Sequence, residues 1–134
     1  MPISYNYNKP KDILIVSVDS EVSLKDVDQF MLEILGSTDF PPETRTIWDL
    51  RRADLSSLDA DFARQLIDVR KKYPERFKAK VAFVADSDLS FGLLRLYESL
   101  SSIALPQNTI VFRTLSKAEE WILSPHGGNR LTDR

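Results

Sequence analysis

Residues 80–103 read KVAFVADSDLSFGLLRLYESLSSI, and this stretch decides the fold. Its first six residues, Lys80 to Ala85, are short and almost wholly apolar, the pattern of a strand buried on both faces. Asp86, Ser87, Asp88 and Leu89 form a polar turn, and Ser90 is placed to cap a helix. Leu93, Leu94, Leu96, Tyr97, Leu100 and Ile103 then carry the apolar side of that helix. A buried strand followed by a short loop and an apolar helix is half of a βαβ unit.

The same alternation continues on both sides. Upstream, Thr46 to Leu50 is a strand. Asp59 can cap a helix whose face is Phe62, Leu66, Val69 and Tyr73, stopped by Pro74. Pro41 and Pro42 mark the loop before that strand. Ser23 and Asp26 stand in capping-box positions, ahead of Leu24, Val27, Phe30, Met31, Ile34 and Leu35 at helical spacing. Gly36 then supplies a residue that tolerates the left-handed conformation. At the start of the chain, Ile3, Tyr5 and Tyr7 alternate with polar residues, and Lys9 to Asp12 read as a turn. Ile13 to Val18 is a β-branched strand, which makes an N-terminal hairpin. Downstream, Thr109 to Phe112 is a last strand, and Ser116 is read as the cap of a short helix with Ala118, Trp121 and Ile122. The order is β-β-α-β-α-β-α-β-α. It predicts an α/β fold with a mixed, mainly parallel sheet, because strands joined through helices pair in parallel. One domain is expected over residues 1–123, with a flexible tail over 124–134.

Composition removes several chemistries. Of 134 residues, 43% are hydrophobic and 28% charged, as in ordinary globular domains. The longest apolar run, Ile13 to Val16, is far too short to span a bilayer, and no basic-then-apolar leader opens the chain. A cytoplasmic location is therefore expected. The net charge of −2 gives no cationic surplus for phosphate backbones. Arg64, Arg70, Lys71, Lys72, Arg76, Lys78 and Lys80 form the one local surplus. They read as a solvated segment whose positive charge suits a helix C-terminus, so nucleic acid is not an expected partner. The absence of cysteine excludes disulfides, thiol nucleophiles and thiolate metal sites. The single histidine, His126, lies among turn-formers in the tail, which leaves no basis for a serine–histidine–acid triad. No cofactor, no metal and no catalytic residue is expected.

Candidate binding residues come from topology. In parallel sheets, the loops leaving the carboxyl ends of strands converge, and ligands bind there. Those loops carry Arg51 and Arg52 on one side and Asp86, Ser87 and Asp88 on the other. Phe91 is the aromatic beside them, and would serve as a binding anchor if exposed. Gly92 is read as a helix start open to an anion, with Arg95 one turn further. Asp49, Asp86 and Asp88 could surround a hard cation, but turn and cap chemistry accounts for them. Trp48, Phe91, Tyr97 and Trp121 read as core or part-core rather than a ligand box. The helix from Gly92 to Ile103 is more apolar than one buried face needs. This points to a homodimer, with burial by a neighbouring helix as the alternative.

Several segments, in this order, resemble the SpoIIAA-like family of STAS-type domains: Trp48-Asp49-Leu50-Arg51, Val81 to Val84, Phe91 to Glu98, and Val111-Phe112-Arg113 with Ala118 to Ile122. That fold is related in shape to Sec14-like lipid-binding domains. The resemblance implies a STAS-type sheet and a non-catalytic regulatory or protein-interaction module with an unknown protein partner. The alternative is a carrier or sensor for a small apolar or anionic, lipid-like ligand. The family's phosphoacceptor serine, which opens the second helix, corresponds here to Ala60, so no phospho-switch is implied. A contiguous apolar cavity would favour the ligand class; an exposed apolar patch would favour the interaction class.

Overall fold

A computed structural model describes residues 2–124. His126 and nearly all of the expected tail lie outside the described residues. Five strands form one sheet in sequence order: β1 (Ile3–Asn8), β2 (Ile13–Val18), β3 (Arg45–Asp49), β4 (Val81–Val84) and β5 (Thr109–Phe112). β1 pairs antiparallel with β2, and every other neighbouring pair is parallel. This is the expected mixed sheet, with the hairpin at one edge.

Strand order explains the layers. Each new strand is added on the same side of the previous one, so crossovers of one hand place their helices on one face. Those helices are α1 (Leu24–Leu35), α2 (Ala60–Lys71) and α3 (Asp88–Ala104). The last helix, α4 (Leu115–Leu123), follows the final strand and takes the opposite face, over β3, β4 and β5. Alternation along the strands separates two cores. Leu14, Val16, Val81, Phe83 and Val111 face the three-helix side. Ile13, Ile47, Val84, Ile110 and Phe112 meet Ala118, Trp121 and Ile122 of α4.

Caps agree with the sequence at two helices and shift at two. The Ser23 hydroxyl accepts from the Asp26 amide, and the Asp26 carboxylate accepts from the Ser23 amide, both at 3.1 Å. Asp59 accepts from the Phe62 amide at 2.8 Å. For α3 the cap is Ser87, not Ser90, and for α4 it is Thr114, not Ser116. Both helices start earlier because a hydroxyl already stands directly after the strand-end residues. Gly36 closes α1 at φ −82°, so it does not use the left-handed conformation.

Two helix faces are also corrected. In α2 the buried positions are Ala63, Ile67 and Arg70, while Phe62, Leu66 and Val69 are half-buried. In α3 they are Phe91, Leu94, Tyr97, Glu98 and Ser101. The outward side of α3 exposes Leu89 by 72%, Leu96 by 41% and Ile103 by 87%. The basic segment is not uniformly solvated. Arg70 and Arg76 are buried, and Lys80 donates from Nζ to the carbonyls of Trp121 at 3.0 Å and Ser124 at 2.7 Å. No helix among the described residues is long and apolar enough to cross a membrane.

Candidate functional site

A cavity lies between the helix layer and the sheet. α3 lies close against β5, whereas α1 and α2 make their close approaches to each other and, for α2, to α3. The cavity, of about 130 Å³, lies between the α1–α2 layer and the sheet. Its floor is a row of rings: Phe30 from α1 meets Trp48 of β3 at 5.2 Å, Trp48 meets Phe83 of β4 at 6.4 Å, and Phe83 meets Tyr97 of α3 at 5.7 Å between centroids. Val27, Met31, Leu66 and Leu94 add aliphatic walls. Such space is paid for in lost packing contacts, and apolar ligands restore them.

The two ends differ. At the carboxyl end of the strands, the exposed residues Ser20, Glu21, Asp54 and Ser57 border the cavity. Here the β2–α1 and β3–α2 loops are stitched together: the Asp54 amide donates to the Ser20 carbonyl at 3.3 Å, and the Ser57 hydroxyl donates to Glu21 at 2.7 Å. At the amino end, the buried Arg70, Arg76 and Gln107 close it. Arg70 donates to the Tyr97 hydroxyl at 2.8 Å, to Thr109 at 3.3 Å and to the Gln107 side-chain oxygen. Arg76 donates to the carbonyls of Pro42 (2.5 Å) and Thr44 (2.9 Å) and to the Thr46 hydroxyl (2.6 Å). Every one of these acceptors is neutral. Burial, reinforced by the charge of Arg70, brings the Arg76 guanidinium down to about 10, well below its ordinary value.

Of the strand-end loops, Ala53, Asp54, Leu55, Ser57 and Leu58 of the β3–α2 loop line this cavity, whereas Arg51, Arg52, Asp86, Ser87, Asp88, Phe91, Gly92 and Arg95 do not. The two loops are neighbours, since Asp86 is near enough for its charge to act on Arg51. Their polar groups, however, are engaged locally. Arg51 grips Asp49 with two hydrogen bonds of 2.8 Å, which holds that carboxyl below the usual carboxylate range. Asp88 pairs with Arg113 at 2.9 Å, and Ser87 caps α3. Arg95 lies 3.5 Å from Glu98 along its own helix. Arg52 and Asp86 are exposed. Phe91 is only 8% exposed and lies under the Arg113 guanidinium at 4.2 Å, so it is no surface anchor. Gly92 sits inside α3 rather than at its start, which removes the free amides expected there. No acidic or histidine cluster suited to a metal is found among the described residues.

The architecture has a counterpart among solved structures. An uncharacterised protein of the DUF3478 family from Shewanella loihica PV-4, described as having a SpoIIAA-like fold, matches over 90% of this chain and 91% of its own, with a TM-score of 0.58 and 18% identity. The chain has a SpoIIAA-like fold. At that identity the likeness concerns the fold alone. No family model matches the sequence, and no curated protein matches it. Within this SpoIIAA-like sheet, Ala60 is the first residue of α2, and Ser56 and Ser57 precede the helix.

Sequence reasoning missed Arg70, Arg76 and Gln107. One signal was present: Arg70 follows Ala63 by seven residues and Ile67 by three, which puts it in phase with the buried side of α2. An arginine in register with an apolar stripe points inward. Arg76 ends a three-residue 3-10 turn and Gln107 lies in a loop, so neither carries a comparable periodicity.

Proposed function

We propose that this SpoIIAA-like domain is a non-catalytic binding module, a carrier or sensor, that holds a small apolar molecule between its α1–α2 layer and its sheet. The observation that carries this reading is the cavity of about 130 Å³ floored by Phe30, Trp48, Phe83 and Tyr97. Empty apolar space is destabilising, and the cost grows with its volume, so an occupant stabilises the folded state. The loops across the mouth are joined by exposed hydrogen bonds, with Val22, Ala53, Leu55 and Leu58 packed beneath them, so entry needs local opening of these loops. Native mass spectrometry of freshly purified protein tests the reading. A released small-molecule adduct, or uptake of added Nile red by the stripped protein, is expected. A bare chain that takes up no dye would overturn it.

A second reading, self-association, is favoured by a separate observation. Leu89, Leu96 and Ile103 recur seven residues apart along α3 and are exposed, with the half-buried Leu93 and Leu100 between them and the core. That spacing is the seam of a coiled coil. A second copy of the chain, presenting the same seam about a twofold axis, is the occupant that fits.

A further inference from the structure

We infer that the molecule held in this cavity is an apolar-chain carboxylate, bound head-inward, with its carboxylate on Arg70 and Arg76 and its chain directed toward Glu21 and Asp54. The inference rests on the ligand-binding reading above and adds the chemistry and direction of the ligand.

Three features of the cavity support it. First, the two buried guanidinium groups have no carboxylate within ion-pair distance among the described residues. Buried cations of this kind ordinarily carry a paired anion, because neutral acceptors offset only part of the lost hydration. Second, both retain donors. A guanidinium offers five N–H groups; each arginine makes three hydrogen bonds, which leaves two apiece. Planar forks with donors to spare match the two oxygens of a carboxylate. Third, the polarity along the cavity is one-directional. The closed end is cationic, the middle is apolar, and the open rim carries Glu21 and Asp54. A carboxylate at the rim would meet like charge, and an amine at the closed end would meet two cations. Burial and the charge of Arg70 both lower the Arg76 pKa, with only the more distant charge of Glu43 acting the other way, and a bound anion would offset both.

The frame around the arginines is fixed before any ligand arrives. Gln107 donates from Nε2 to the carbonyls of Arg76 at 2.6 Å and Ala79 at 3.2 Å, while its oxygen receives Arg70. One side chain thus ties the two cation-bearing segments together. Donors held in place lose little freedom on binding.

Calorimetric titration of the full chain with decanoate, decanol and decylamine is the test, since the three share one chain and differ in the head group. Decanoate is expected to bind about tenfold or more tighter than decanol, the advantage of hydrogen bonds to a charged group, and decylamine weakest. Arg70→Gln, checked for fold by circular dichroism, should bring decanoate down toward decanol and leave decanol unchanged. Equal binding of decanoate and decanol, or tighter decylamine, would overturn the head-inward carboxylate while leaving the apolar cavity reading intact. No binding of any of the three would overturn both. The wild-type comparison decides the matter even where Arg70→Gln fails to fold.

Discussion

Leu66 and Ile67 are consecutive residues of α2 with different work. Ile67 is buried among core side chains, whereas Leu66 is half-buried and faces the cavity. Truncating Ile67 removes contacts on all sides, so Ile67→Ala should cost about 2–5 kcal/mol. Leu66→Ala removes a side chain that already borders open space and should cost less than half as much, while weakening apolar ligands. Urea unfolding of both variants, with Nile red titration of the second, measures this; equal destabilisation would show that the space beside Leu66 is closed in solution. The one-residue shift of the α2 face was hard to see in the sequence, because Phe62, Leu66 and Val69 form an apolar stripe as convincing as the true one. The real stripe contains an alanine and an arginine. Pattern alone gives the larger apolar side chains priority, and here they are half-buried at the edge of the core, with Phe62 and Leu66 bordering the cavity.

At the scale of the element, α3 carries two apolar faces. One packs Phe91, Leu94 and Tyr97 against the sheet; the other turns Leu89, Leu96 and Ile103 outward. The apolar excess of this helix was legible in the sequence, but its division into two stripes was not, since Leu93 and Leu100 sit between them. With both stripes assigned, the self-association reading predicts a dimer of about twice 15.3 kDa by light scattering at high micromolar concentration. Leu96→Lys combined with Ile103→Lys should return it to a monomer with little change in thermal stability, because neither residue supports the fold. A wild-type mass of 15.3 kDa under those conditions would remove the dimer. The caps show a smaller lesson. Ser90 and Ser116 are good capping residues, yet Ser87 and Thr114 precede them and claim the helix starts.

For the whole molecule, periodicity revealed the element order, the mixed sheet and the antiparallel hairpin, since each depends on local pattern and connection length. The SpoIIAA-like fold follows from that order. The cavity does not, because it is lined by residues from α1, α2, α3, the sheet and the loops between them, which meet only in the folded chain. The closed end was equally hidden: Arg70 and Gln107 are 37 residues apart and meet only after α3 has been laid across the sheet. The strand-end loops attracted attention for a sound topological reason: the β3–α2 loop borders the cavity through Asp54 and Ser57, while Arg51, Asp88 and Ser87 are engaged with Asp49, Arg113 and the cap of α3. The central claim is therefore about the interior, and methyl and indole NMR of the full chain titrated with decanoate tests it most directly. The account predicts saturable shifts at the Leu66 and Leu94 methyls and the Trp48 indole N–H, with exposed Leu89 and Ile103 unmoved. Shifts confined to Leu89, Leu96 and Ile103, or none within the cavity, would contradict it.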